Sequence, residues 1–180
     1  MNTELAPRMA VSCPATPIRY ATGRCALGPV LVAQSEIGVC AVLFADDAAS
    51  LPADLASRFT GAAITADPAG LAPALKAVVR CIDAAGDAGG LPLDTGGTPF
   101  QRRVWQALRE IPAGRTASYA EVAARIGSPN AVRAVARACA ANRLAVLVPC
   151  HRVVRADGGL SGYRWGAARK AALLAREAGR

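Results

Sequence analysis

The sequence predicts an α+β fold in two units. Three observations carry this. Two short β-rich runs, residues 30–35 and 39–45, sit in the first half. Helical periodicity dominates the second half, where two segments open on capping signals. Between the halves, residues 86–97 hold five glycines and Pro92, the composition of a linker. The boundary is expected near residue 93, giving units 1–93 and 94–180.

In the first unit, Glu36-Ile37-Gly38 separates the two β-rich runs and signals a hairpin. Ser50-Leu51-Pro52 is placed to cap a helix running to Phe59. Leu71, Leu75, Val78, Val79 and Ile82 recur at helical spacing and mark a second helix. Asp46, Asp47, Asp54 and Asp67 are read as solvated or near helix starts. No catalytic constellation and no nucleotide-binding glycine loop is visible in this half.

In the second unit, Thr98-Pro99-Phe100-Gln101 is a capping box with proline at the first helical position. Phe100, Val104, Trp105, Leu108 and Ile111 mark one buried face, and Pro112 and Gly114 end the helix. Ser118-Tyr119-Ala120-Glu121 is a second capping box, whose helix stops at Gly127. Ser128-Pro129 opens a third helix, with Val132, Val135, Ala136 and Cys139 facing inward. Helix, glycine turn, helix is the helix-turn-helix pattern; an ordinary helical hairpin is the plain alternative. Arg133 and Arg137 on one exposed face favour DNA binding. Ala131, Ala134, Ala138 and Ala141 leave an outer face of little more than backbone, from which Arg133 projects into a closely approached groove. The last helix spans residues 167–178.

Charge separates the halves as well. Residues 1–93 hold six Lys or Arg against eight Asp or Glu, a balance of −2; residues 94–180 hold fifteen against five, a balance of +10. Base-composition bias explains the preference for arginine but not this asymmetry. A basic half-chain points to a polyanion, nucleic acid first. No apolar stretch approaches the roughly 20 residues of a membrane span, and Glu4 and Arg8 interrupt any signal peptide, so a cytoplasmic monomer is expected. The six cysteines include no Cys-x-x-Cys pair and there is one histidine, which argues against zinc; the thiols are expected reduced.

That single histidine, His151, follows Cys150 directly in Pro149-Cys150-His151-Arg152-Val153-Val154. A thiol is a sluggish nucleophile until a base takes its proton, and histidine is suited to that near neutral pH. The bland reading is a buried cysteine beside a chance histidine. Residues 144–148 read as a buried strand that delivers the pair, so Cys150 and His151 are expected on an extended backbone, pointing apart, with water able to bridge them. A histidine base also needs an orienting carboxylate. Glu121 is used in its capping box and Asp157 lies in a turn, which leaves Glu177 as the best candidate by elimination.

These residues, with Asn142 before the cysteine and Ser161-Gly162-Tyr163-Arg164-Trp165-Gly166 after it, resemble the O6-alkylguanine-DNA alkyltransferase family. More narrowly, they are similar to the alkyltransferase half of bacterial Ada proteins. The match covers about residues 98–178, and residues 1–93 resemble the family's ribonuclease-H-like domain, which implies an antiparallel sheet plus helices. The resemblance implies a winged helix-turn-helix-like second unit and a stand-alone transferase.

It also implies roles. Cys150 takes the alkyl group from guanine O6, His151 deprotonates it through water, Glu177 orients His151, and Asn142 braces the turn. Tyr119 donates toward ring nitrogen 3 of the leaving base. Val153 and Arg164 hold the base through their backbones, with Tyr163 on its face. Arg133 replaces the flipped nucleotide in a minor-groove complex, with Ala131, Ala134 and Arg137 beside it. No cofactor and no metal is implied, and each molecule acts once. A lesion-binding protein without transfer, a helix-turn-helix regulator and a cysteine hydrolase are the competing readings. Arg164-Trp165 leave the tolerated adduct size open, and O4-alkylthymine stays open as a second substrate.

Overall fold

The structure, a computed structural model, describes residues 17–84, 86, 90–160 and 162–179. Glu4, Arg8 and Ser161, named above, lie outside the described residues.

Strands β1 (Ile18–Cys25), β2 (Gly28–Gln34) and β3 (Val39–Phe44) form an antiparallel meander. Helix α1 (Leu51–Arg58) and the short strand β4 (Ile64–Ala66) follow, then helix α2 (Ala72–Asp83). The sheet order is β3-β2-β1-β4, and β4 runs parallel to β1. The sheet is therefore mixed, which corrects the antiparallel sheet expected from the sequence. All six residues of β3 are buried, as are five of the seven in β2, so these strands are covered on both faces. Their uninterrupted apolar runs are the sequence form of that burial.

Helix α3 (Pro99–Arg109) and helix α4 (Tyr119–Arg125) each begin on the capping box expected of them, with both reciprocal hydrogen bonds present. Helix α5 (Val132–Ala140) starts after a Ser128–Ala131 turn rather than at Pro129, with the Ala131 N–H donating to the Ser128 carbonyl at 2.8 Å. Ser50 precedes α1 but donates its hydroxyl to the Asp47 carbonyl and caps nothing. Strands β5 (Ala117–Ser118) and β6 (Val153–Val154) pair in parallel, and helix α6 (Ala167–Ala178) has the bounds expected from the sequence.

The outer edge of β3 is covered rather than open. Val39 donates to the Pro92 carbonyl at 2.8 Å, and Val42 donates to the Arg143 carbonyl at 2.8 Å while its own carbonyl accepts from Ala145 at 3.1 Å. Arg169 of α6 adds a second tie: its guanidinium donates to the carbonyls of Leu27 at 3.1 Å and Ala45 at 2.8 Å. One hydrophobic core accordingly runs from Ile18 of β1 to Leu173 of α6.

Candidate active site and nucleic-acid interface

Residues 144–148 are not a strand. After the bridge of Leu144 to Val42 the chain turns, with Val146 at φ 68, and residues 150–152 form one turn of 3-10 helix. Cys150 and His151 therefore sit on a tight coil, not on extended backbone. Five apolar residues cannot report this difference by periodicity. The local order comes instead from Asn142, which is 1% exposed. Its amide nitrogen donates to the Val148 carbonyl at 2.8 Å and lies 3.1 Å from the Cys150 sulfur. Its amide oxygen accepts from the Leu144 N–H at 2.9 Å. One buried side chain thus replaces the strand ladder the turn lacks.

Cys150 is buried, and burial pushes its thiol up to about 11, against the opposing pull of the Asn142 hydrogen bond and the Lys170 charge. At neutral pH it is therefore protonated. His151 beside it is 0% exposed. Its Nε2 lies 3.0 Å from a Glu177 carboxylate oxygen, while its Nδ1 is buried with no protein partner. Burial lowers the His151 pKa below the ordinary value, outweighing Glu177, so the ring is neutral near pH 7. With Nε2–H donating to Glu177, Nδ1 is left as the basic atom.

Glu177, the carboxylate that elimination selected, is the one His151 meets, and it is buried. Burial raises its pKa, but hydrogen bonds from His151 and Arg152 more than offset this and hold it at about 2. Arg152 is the partner the sequence reading missed. Its guanidinium grips both carboxylate oxygens and donates to the Ile111 carbonyl at 2.5 Å. Gly114, at φ +76, comes so close that an added Cβ would lie 2.9 Å from the Glu177 backbone oxygen.

Lys170 was missed as well. It is 0% exposed on α6, with Nζ donating to the Val153 carbonyl at 2.6 Å. Burial lowers its pKa while the thiols of Cys150 and Cys139 pull it back up. Its spacing carried a signal: residues 170, 173 and 177 are the buried positions of α6, one helical face.

A pocket of about 290 Å³ opens onto Cys150 and is lined also by Tyr119, Ala136, Cys139, Ala140, Gly162, Tyr163 and Arg164. Tyr163 packs edge-on to Trp165, with ring centres 5.2 Å apart, and its hydroxyl is buried without a protein partner. Val153 is buried outside the pocket wall and reaches the site through Lys170.

Arg133 and Arg137 are both exposed on α5, one turn apart, and Ala131 and Ala134 are half-buried. Ala138 does not belong to the outer face: it is 1% exposed, and its carbonyl accepts from the Trp105 ring N–H at 2.9 Å. Among the described residues, no group of three or more His, Cys, Asp or Glu is arranged to hold a metal ion, and no helix is long and apolar enough to cross a membrane.

Residues 99–179 match the family described as 6-O-methylguanine DNA methyltransferase, DNA binding domain. The chain is 52% identical over 161 residues to the bifunctional transcriptional activator/DNA repair enzyme Ada of Escherichia coli, covering 89% of this chain and 46% of that protein. It is 54% identical over 83 residues to a methylated-DNA–protein-cysteine methyltransferase of Salmonella typhimurium, covering 46% of this chain and 48% of that one. The chain thus spans about half the length of these curated relatives. Among solved structures, it superposes on Mycobacterium tuberculosis OGT in complex with DNA with a TM-score of 0.74 at 37% identity, covering 89% of this chain and 93% of that one. The O6-methylguanine-DNA methyltransferase of Pyrococcus kodakaraensis gives a TM-score of 0.70 at 25% identity, over 89% of this chain and 98% of that one. Similarity of this extent, over nearly the whole of a solved relative, shows that the chain belongs to the O6-methylguanine methyltransferase family.

Proposed function

We propose that this protein repairs alkylated DNA by direct reversal, moving the alkyl group from guanine O6 to its own Cys150. The observation that carries this reading is the buried Cys150 on the wall of a small pocket in the basic half of the chain, followed directly by His151, which is itself buried against Glu177. His151 Nδ1 takes the thiol proton through a water, while Glu177, gripped by Arg152, fixes the ring. The thiolate sulfur attacks the alkyl carbon. A carbon–sulfur bond forms, the carbon–oxygen bond breaks, and its electron pair goes to O6. Tyr119, on the pocket wall, donates toward ring nitrogen 3 of the departing base. The product thioether is stable, so each molecule acts once and no cofactor is needed.

A stacked base cannot present O6 to a buried thiol, so the nucleotide flips out at a cost of a few kcal/mol. Arg133 fills the gap in the duplex, and Ala131 and Ala134 let α5 lie close in the minor groove, with Arg137 on the backbone. Tyr163 lies on the base face, and the backbones of Val153 and Arg164 hold its edge. The wider reading is a ribonuclease-H-like unit over residues 1–93 and a winged helix-turn-helix-like unit over residues 94–180, acting as a cytoplasmic monomer.

The test is incubation with duplex DNA carrying O6-methylguanine, followed by peptide mass spectrometry. One methyl on Cys150, and none in Cys150→Ala despite retained DNA binding, is the expected outcome. Binding without modification would identify a lesion binder, and repeated turnover would rule out the single-use mechanism.

A further inference from the structure

The segment 91–95, laid along β3, leaves its own far edge unused. Val39 donates to the Pro92 carbonyl at 2.8 Å and accepts from the Asp94 N–H at 2.9 Å, which makes the parallel bridge of Val39 with Leu93. In an extended chain the backbone groups of successive residues point to alternate sides. With Pro92 and Asp94 turned to β3, the Leu93 N–H and carbonyl face away from it, and among the described residues they make no hydrogen bond. An unpaired strand edge is a template for another extended chain.

Leu91, Leu93 and Thr95 also line a groove of about 960 Å³, bounded across from them by α3 and the end of α4. Four exposed arginines line it: Arg102, Arg103 and Arg109 on α3, and Arg125 in the last turn of α4. Glu110 is the one carboxylate of the lining. Among the described residues none of these arginines is in an ion pair. Arg102 donates to the Gly97 carbonyl, and Arg103 lies 5.7 Å over the Phe100 ring. Half-buried Leu91, Leu93 and Ile126 give the groove an apolar side. Neither Arg133 nor Arg137 lines it, so it is separate from the exposed face of α5. A duplex backbone would meet the charge but has no peptide groups to complete a strand edge. An extended acidic chain has both, and the alternation of a strand lets carboxylates occupy one side and apolar side chains the other. We propose that this groove docks an acidic, extended segment of a partner protein, added as a strand at Leu93 with its carboxylates toward the four arginines. The inference does not depend on how Cys150 reacts.

The experiment uses the full chain and a fluorescein-labelled peptide of alternating Glu and Val, followed by fluorescence anisotropy. The peptide should bind saturably, and one of alternating Lys and Val should not. Two further peptides carry N-methyl groups, one on every Glu nitrogen and the other on every Val nitrogen. Only one of these sets can face the Leu93 edge, so one peptide should lose about tenfold in affinity and the other should not. The double variant Arg102→Glu, Arg109→Glu, with its fold checked by circular dichroism, should bind the parent peptide about tenfold or more weakly. Excess unmodified duplex should leave the peptide bound. Failure of the Glu and Val peptide to bind overturns the proposal. An equal response to the two methylated peptides, measured on the parent protein and so free of any folding defect, overturns strand addition. Displacement of the peptide by duplex overturns it as well and makes the groove a DNA contact.

Discussion

Arg152 and Glu177 form a forked ion pair: Arg152 Nε lies 2.9 Å from one carboxylate oxygen and Nη2 lies 2.8 Å from the other. His151 Nε2 meets the second of these oxygens at 3.0 Å. One carboxylate therefore both meets a half-buried guanidinium and holds the histidine ring.

The pair makes stability depend on pH in a defined direction. Glu177 has a folded pKa of about 2 against an ordinary 4.5, so its contribution is complete above the ordinary value and is lost as pH falls through the folded one. Glu177→Gln should be less stable near neutrality, by roughly 3 kcal/mol, and the gap should close between pH 4.5 and about 2. Denaturant unfolding of parent and variant across that window measures it. A gap that stays constant would mean the carboxylate charge does not stabilise the fold.

The same variant should slow alkyl transfer by about a hundredfold or more, the usual loss when a general base is disabled. His151→Asn should match it, and the double variant should be no worse than either single one, because the two act as one unit. Single-turnover rates on methylated duplex decide between this and independent, additive effects.

Lys170 should govern the reactivity of the thiol itself. Cys150 sits at about 11, with Asn142 and Lys170 as the groups that lower it. Around it also stand Cys139 from α5, Tyr163 from the loop and the neutral His151. Lys170→Met should push the iodoacetamide-reactivity profile of Cys150 to higher pH. A profile displaced by about one pH unit means about tenfold less reaction at fixed pH. Lost stability with an unmoved profile would assign Lys170 to structure alone.

Asn142→Ala should be costly out of proportion to its size. The amide oxygen and nitrogen satisfy buried backbone groups at Leu144 and Val148. Leaving each unpaired costs about 1–3 kcal/mol. Asn142→Asp keeps the acceptor but loses the donor to Val148 and places a charge near the thiol, so it should raise the Cys150 pKa further. Thermal unfolding and thiol titration separate these effects.

Arg133→Ala should lower transfer from duplex much more than reaction with the free alkylated base, because Arg133 is proposed to fill the gap the flipped nucleotide leaves. A modest loss of duplex binding with a salt slope lower by about one, and equal losses on both substrates, would make it a phosphate contact instead. Paired measurements of both rates give the answer.

Legibility followed the length and chemistry of each signal. The capping boxes at Thr98 and Ser118 and the span of α6 could be read directly, because side chain–backbone pairs and long periodic runs are local facts. Strand β1 escaped because its eight residues, with Arg19, Gly23 and Arg24 among them, alternate too weakly. Strand β4 is only three residues long. The turn at 144–148 misled because its apolar content reflects burial, while its shape is imposed by Asn142 and by the edge of β3. Glu177 was found by counting carboxylates. Arg152 was in plain view inside the motif, but no local rule tells which carboxylate an arginine will grip from 25 positions away.

The stitch along β3 has a consequence for how such a chain can be rearranged. Val42 holds the backbone on both sides of Leu144, two residues after Asn142, so the first half supplies the bench on which the reactive turn is clamped. The two halves are not interchangeable parts: a foreign N-terminal unit joined at the glycine-rich segment would have to offer the same strand edge at the same height. Tolerance to grafted or inserted sequence should therefore collect away from that seam, and a swap that ignores it would leave the coil that carries Cys150 unmoored although every residue of the proposed chemistry was kept.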